Sequence, residues 1–199
     1  KAKECYEKAI ELNPNHINAN FNLGRIYIDL DEHQKAKECC EKVIELNPNY
    51  VNAHFNLGAI FKVLGEHQKA KDCYEKSIEL NPNYVDAHNN LGVLFQDIGD
   101  IQKAKGCYEK AIEIDPNYVN AYNNLGAIFR DLGEHQKAKN CCEKIIEIDP
   151  SHTDAHFNLG VIYKELGEHQ KAKECYEKAI AINPEYKNAH NNLGVIYKD

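Results

Sequence analysis

Six prolines, Pro14, Pro48, Pro82, Pro116, Pro150 and Pro184, stand 34 residues apart with no insertion or deletion between them. The residues around them return with the same spacing, so the 199-residue chain is one short unit written repeatedly. A unit of this length cannot bury an apolar face alone. It gains a core only by stacking on its copies, which restricts the chain to a solenoid or a comparable array. Counted from Ile17, five complete units follow one another: 17–50, 51–84, 85–118, 119–152 and 153–186. Residues 1–16 match the second half of a unit and 187–199 the first half of another, so 1–199 reads as a single array. The chain has no methionine and starts inside a unit, which gives it the look of a piece of a longer protein.

Each unit carries two helical patterns. In 51–84 the first is VNAHFNLGAIFKVLG, with Ala53, Leu57, Gly58, Ile60, Phe61 and Leu64 recurring at the three- and four-residue spacings of an amphipathic helix. Gly65 follows as a left-handed C-terminal cap. The second is EHQKAKDCYEKSIEL, with Ala70, Cys73, Tyr74, Ser77, Ile78 and Leu80 on one side. Asn81-Pro82 stops it, because the residue before a proline avoids the helical region. With the two patterns named A and B, about twelve helices are expected. Gly58 on A is expected to let B approach closely at Ala70, as are Gly24/Ala36, Gly92/Ala104, Gly126/Ala138 and Gly160/Ala172. Asp31 stands where the other units have Gly65, Gly99, Gly133 and Gly167; aspartate tolerates positive φ, so the turn is expected to survive.

Charge and cysteine usage exclude several functions. A net charge of −7 makes the chain a poor binder of phosphate backbones, so no nucleic-acid partner is expected. Glu and Lys alternate along B as on a solvated helix face with i,i+4 pairs. No apolar run approaches the roughly 18 residues of a membrane span. Cys5, Cys39, Cys73, Cys107, Cys141 and Cys175 occupy one position of the unit, and Cys40 and Cys142 replace a tyrosine beside it. They read as small apolar residues of a reducing compartment, cytoplasmic or nuclear, and not as disulfides or metal ligands. His33, His67, His135 and His169 recur one unit apart, about 10 Å if stacked like packed helices, too far to share a metal. No metal or other cofactor is expected. Nor is an enzyme: a nucleophile with its base needs an irregular constellation, whereas every candidate side chain here is copied at the period of the unit.

In unit 51–84, His54, Leu57, Gly58, Phe61, Ala70, Tyr74, Ser77 and Pro82 match the signature of the tetratricopeptide repeat, which the whole chain resembles. The resemblance implies an all-α, right-handed α-α superhelix of stacked helical hairpins, with A helices lining a concave groove. Two departures stand out. The fourth position, usually tryptophan, is Asn20, His54, His88, Tyr122, His156 and His190; the twenty-first, often apolar, is Lys37, Lys71, Lys105, Lys139 and Lys173. Both are expected to loosen packing. The NNLG runs and the unbroken spacing look most like the arrays of O-linked N-acetylglucosamine transferases.

One asparagine precedes every Leu-Gly: Asn22, Asn56, Asn90, Asn124, Asn158 and Asn192. Four residues earlier, on the same helix face, stand Asn52, Asp86, Asn120 and Asp154, with Asn18 and Asn188 at the two ends. The resemblance places this face in the groove. A primary amide has two donors and an acceptor, so a regular series of them is suited to the peptide groups of an extended partner. Phe21, Phe55 and Phe157 alternate with Asn89, Asn123 and Asn191 beside the series and are expected to form shallow pockets. A basic clamp for a C-terminal carboxylate is not expected, since Arg25 is the only cation at the positions it would use. The expected function is therefore a protein-interaction scaffold that cradles an extended peptide. Two alternatives are a substrate-recruiting arm of a larger enzyme, such as a glycosyltransferase, and head-to-tail self-association through uncapped ends, which sedimentation at high concentration tests.

Overall fold

The computed structural model describes residues 1–198, and among these the regular structure is entirely helical. Six helices follow pattern A: α2 (Ile17–Asp29), α4 (Val51–Val63), α6 (Val85–Asp97), α8 (Val119–Asp131), α10 (Thr153–Glu165) and α12 (Lys187–Ile196). Six follow pattern B: α1 (Ala2–Leu12), α3 (His33–Leu46), α5 (His67–Leu80), α7 (Ile101–Ile114), α9 (His135–Ile148) and α11 (His169–Ile182). The chain divides into two compact units, Lys1–Cys107 and Tyr108–Asp199. Within each, helices pack chiefly on their neighbours in sequence; in the first, α4 also touches α2 and α6.

The turns follow from local chemistry. After each of α4, α6, α8 and α10 a glycine takes positive φ, 72° to 82°. After α2 it is Asp31, at φ 56°. The hydrogen bonds are the same in both cases: Asp31 N–H donates to Ile28 and Glu32 N–H to Tyr27, as Gly65 does to Lys62 and Glu66 to Phe61. This is the Schellman closure, so the aspartate substitutes for glycine with the turn intact. B helices end at an Asx-Pro pair. Asn47, for example, is extended (φ −144°) and its side chain accepts the N–H of Asn49 at 3.1 Å, an Asx turn that starts the next unit.

The core of each hairpin is made by Ala53, Leu57, Ile60 and Phe61 from A against Ala70, Tyr74 and Ser77 from B, all buried. Leu64 is not part of it: as the C-cap of α4 it is 41% exposed, because the chain has already begun to turn away. The partner of Gly58 also differs from expectation. A Cβ there would lie 2.8 Å from the ring of Tyr74, and one on Gly160 would lie 2.6 Å from Tyr176, so the glycine seats an aromatic ring rather than an alanine side chain. Where Cys40 and Cys142 replace that tyrosine, the nearest atoms to Gly24 and Gly126 are instead the Cβ atoms of Cys39 and Cys141.

Neither departure from the family pattern loosens the packing. The fourth-position side chains reach back six residues to the proline carbonyl of the preceding turn. The distance is 2.8 Å for His54–Pro48, 2.9 Å for His88–Pro82 and 3.0 Å for His156–Pro150. Asn20 donates to Pro14 and Tyr122 to Pro116 in the same way. Two of the twenty-first-position lysines lie over the aromatic ring of the next hairpin: Lys37 is 5.5 Å from the Phe61 centroid and Lys139 5.5 Å from that of Tyr163. A second lysine from the ring's own hairpin, Lys69 or Lys171, sits 5.3 Å from the same ring. Each ring thus faces two cations whose carbon stems cover apolar surface. Lysines along the B helices are themselves paired with glutamates, more often at i,i+3 than at the expected i,i+4 (Lys76–Glu79, 2.8 Å; Lys71–Glu75, 3.2 Å).

Candidate functional site

All six asparagines that precede Leu-Gly are half-buried, and Asn52, Asp86, Asn120 and Asp154 are exposed, each on the outer turn of its A helix. The six are not equivalent, and the difference comes from the B helix before them. Where that helix carries a buried tyrosine, its hydroxyl engages the amide: Tyr74 bonds Asn90, and Asn192 donates to Tyr176 at 3.3 Å. Asn90 also accepts from Asn89 at 3.3 Å. Burial raises the ionisation point of both tyrosines, so they remain neutral partners at physiological pH. Asn56 and Asn158 follow the helices with Cys40 and Cys142. Together with Asn22, they have no side-chain hydrogen-bond partner among the described residues. Asp154 is occupied by the Tyr186 hydroxyl, and Asn120 lies 3.5 Å from that of Tyr118.

Both partnerless interior amides border a hollow. In the first unit, Asn52 and Asn56 line one of about 200 Å³ with Arg25, Phe21, Phe55 and Tyr84. The phenylalanines read from the sequence as pocket walls are there, and each stacks on a tyrosine, Phe21 on Tyr50 and Phe55 on Tyr84, both at 5.0 Å. In the second unit, Asn158 and Asn123 border a hollow of about 180 Å³ with Arg130, Cys142, Ile145 and Ile162 among its walls. Arg25 was read from the sequence on the groove face, as the lone cation at the clamp positions; Arg130 was not. The signal was present: the tyrosine-to-cysteine replacement at residues 40 and 142 removes a ring that fills this seam in other hairpins.

Burial pushes the thiols of Cys40 and Cys142 up to about 12 and those of Cys39, Cys73, Cys107, Cys141 and Cys175 to about 11, away from nucleophilic thiolate. Among the described residues no three His, Cys, Asp or Glu side chains converge as metal ligands. His135 Nδ1 stands 3.3 Å from the Glu165 carboxylate, off the line a hydrogen bond requires. Among the described residues no helix is long and apolar enough to cross a membrane.

Models of the tetratricopeptide repeat match residues 1–16, 17–50, 51–84, 85–118, 119–152 and 153–186, and the chain belongs to that family of protein-interaction scaffolds. Among solved structures it is similar to YrrB, a TPR protein with an unusual peptide-binding site. The two are 26% identical over 96% of this chain and 98% of that one, with a TM-score of 0.71. It is also similar to MamA, 29% identical over 74% of this chain and 86% of that one, with a TM-score of 0.68. Pseudomonas aeruginosa PilF shares the fold with a TM-score of 0.81 at 19% identity, over 92% of this chain and 85% of that one. No relative was found among the curated proteins compared.

Proposed function

We propose that the chain binds extended peptide segments of partner proteins along its A helices, with Asn56 making the principal contact in the first compact unit and Asn158 in the second. The observation that carries this reading is that both amides are half-buried, lack a partner and border a hollow. An amide held on a rigid helix with its donors and acceptor unused is already oriented for a peptide group, so little ordering entropy opposes the contact. Asn22 extends the same role, with Asn52, Asp86 and Asn120 at the rim. Asn90 and Asn192 hold tyrosines instead, so the series works as separated contact points rather than as an even ladder. The peptide-binding site of YrrB supports the reading by analogy.

The test is calorimetry with peptides selected from a random library on the intact chain. Asn56→Ala and Asn158→Ala are each expected to weaken binding about fivefold, the equivalent of about 1 kcal/mol per lost hydrogen bond, and Asn192→Ala much less. Equal affinity for all three variants and the parent would defeat the proposal. A second reading makes the array the substrate-recruiting arm of a larger enzyme such as a glycosyltransferase. It is favoured by the NNLG runs and the unbroken 34-residue spacing. A reading frame encoding no catalytic domain beside this array would end it.

A further inference from the structure

The repeat 119–152 lacks three aromatic rings at once. In 51–84 a column of rings fills the seam between A and B: Tyr74 lies 5.9 Å from Phe55, and Phe55 lies 5.0 Å from Tyr84. In 153–186 the same column is Tyr176, Phe157 and Tyr186, at 5.8 Å and 5.3 Å. The repeat 17–50 loses only one member, with Cys40 for tyrosine, and keeps Phe21 on Tyr50. In 119–152 the three positions hold Cys142, Asn123 and His152. The hollow of about 180 Å³ lies at this gap. A cavity of roughly 150 Å³ is enough to hold a benzene molecule.

The lining is graded with depth. Its floor is apolar and buried: Ile145 is 1% exposed, Ile162 2% and Cys142 6%. Its rim carries the half-buried Asn123, Asn158 and Arg130. We propose that this hollow receives an aromatic side chain, phenylalanine or tyrosine, of the bound partner segment, the incoming ring taking the volume that the chain's own rings fill in its sister repeats. The amides of Asn158 and Asn123 hold the peptide groups on either side of that residue, and the proposal rests in this respect on the peptide-binding reading above. An aromatic ring fits with or without a hydroxyl, since a phenol at the place of Tyr74 or Tyr176 meets Asn158 as those tyrosines meet Asn90 and Asn192. It is favoured over an aliphatic side chain because its face accepts the Arg130 cation and its edge the Cys142 sulfur.

The probes are N-acetyl-L-phenylalaninamide, N-acetyl-L-tyrosinamide and N-acetyl-L-alaninamide, titrated into the intact chain and followed by amide NMR shifts. The phenylalanine and tyrosine amides are each expected to bind at least tenfold more tightly than the alanine amide, with shifts centred on Asn123, Cys142 and Asn158. Cys142→Tyr restores an internal ring and is expected to abolish this binding, whereas Cys40→Tyr, the same change in 17–50, leaves it intact. Asn123→Phe closes the rim without touching the floor and is expected to act as Cys142→Tyr does, so the outcome does not depend on one variant folding. Equal binding of the three amides, or phenylalanine-amide binding that survives both closures, would overturn the pocket. Selected peptides that ignore Asn56 and Asn158 while the phenylalanine amide still binds would overturn the amide contacts alone. Selected peptides that depend on those asparagines but tolerate replacement of every phenylalanine and tyrosine would overturn the pocket alone.

Discussion

At the scale of single residues, two helical glycines of the same chain are opposites. Gly58 lies under a ring, and an added Cβ would sit 2.8 Å from Tyr74 Cδ1 and Cε1. The ring is 1% exposed and has nowhere to go. Gly58→Ala is therefore expected to destabilise by about 1–3 kcal/mol, the usual cost of overpacking. Gly106 is exposed in the interior of α7 with nothing within 4 Å of an added Cβ. Gly106→Ala is expected to stabilise by about 0.5–1 kcal/mol through the backbone entropy that glycine adds to the unfolded chain. Urea unfolding of the two variants reads both signs, and a loss at both sites would show that Gly106 is less open than its surroundings indicate. The sequence marked Gly58 as a close-approach position, because it recurs in every unit. It did not say what approaches, since ring and alanine alternatives stand four residues apart on the same face of B.

At the scale of the element, the sequence made the two helices, their order and their stops plain, because glycine, Asx-Pro and a 3.6-residue apolar period are local signals. It left unread the contacts that join one helix to the turn before it. Histidine at the fourth position looked like a missing tryptophan; in the folded chain it replaces a large ring with a hydrogen bond to a proline carbonyl that the turn would otherwise leave to water. The value of that bond depends on exposure. His156 is 9% exposed and bonds Pro150 at 3.0 Å, while His190 makes the shorter bond, 2.8 Å to Pro184, in the open. Water replaces an exposed donor readily and a buried one poorly. His156→Ala is expected to cost about 1–2 kcal/mol and His190→Ala a few tenths, measured by chemical denaturation; the reverse order would mean that bond length, not burial, sets the contribution. The candidate site was legible to the same degree. The positions of the asparagines were evident from their period. For Asn56, Asn90, Asn158 and Asn192, whether the amide is used depends on a tyrosine or cysteine sixteen residues earlier, a contact between helices that no local pattern reports.

At the scale of the whole molecule, contacts between adjacent helices are all that hold a stacked array, so any effect present in every repeat acts on every interface. The buried cysteines are such an effect. Seven thiols, from Cys39 to Cys175, are raised by burial from the ordinary 9.0 to about 11 or 12. In the unfolded chain they release their protons near 9, whereas in the folded chain they keep them until about 11 or higher. Between these limits the folded state binds more protons than the unfolded state, so stability falls as pH rises. The contribution is complete below pH 9 and disappears through about 12. Raised values at Tyr74, Tyr176, Lys35 and Lys69 act in the same direction but begin from ordinary values of 10.0 and 10.5. The interval from pH 9 to 10 therefore isolates the thiols. On the acid side, Glu32, Glu66 and Asp100 are lowered by hydrogen bonds from lysines and lose that support as pH falls. These carboxylates are exposed and screened, so the acid limb is shallow. Thermal melting under reducing conditions is expected to show a Tm that declines from pH 9 to 10. The double variant Cys40→Ala, Cys142→Ala is expected to decline less steeply, because it removes two of the seven thiols that lose protons on unfolding. An unchanged slope in that variant would mean that the alkaline loss comes from groups other than the thiols in the seam, and that these two interfaces are more hydrated than their burial implies.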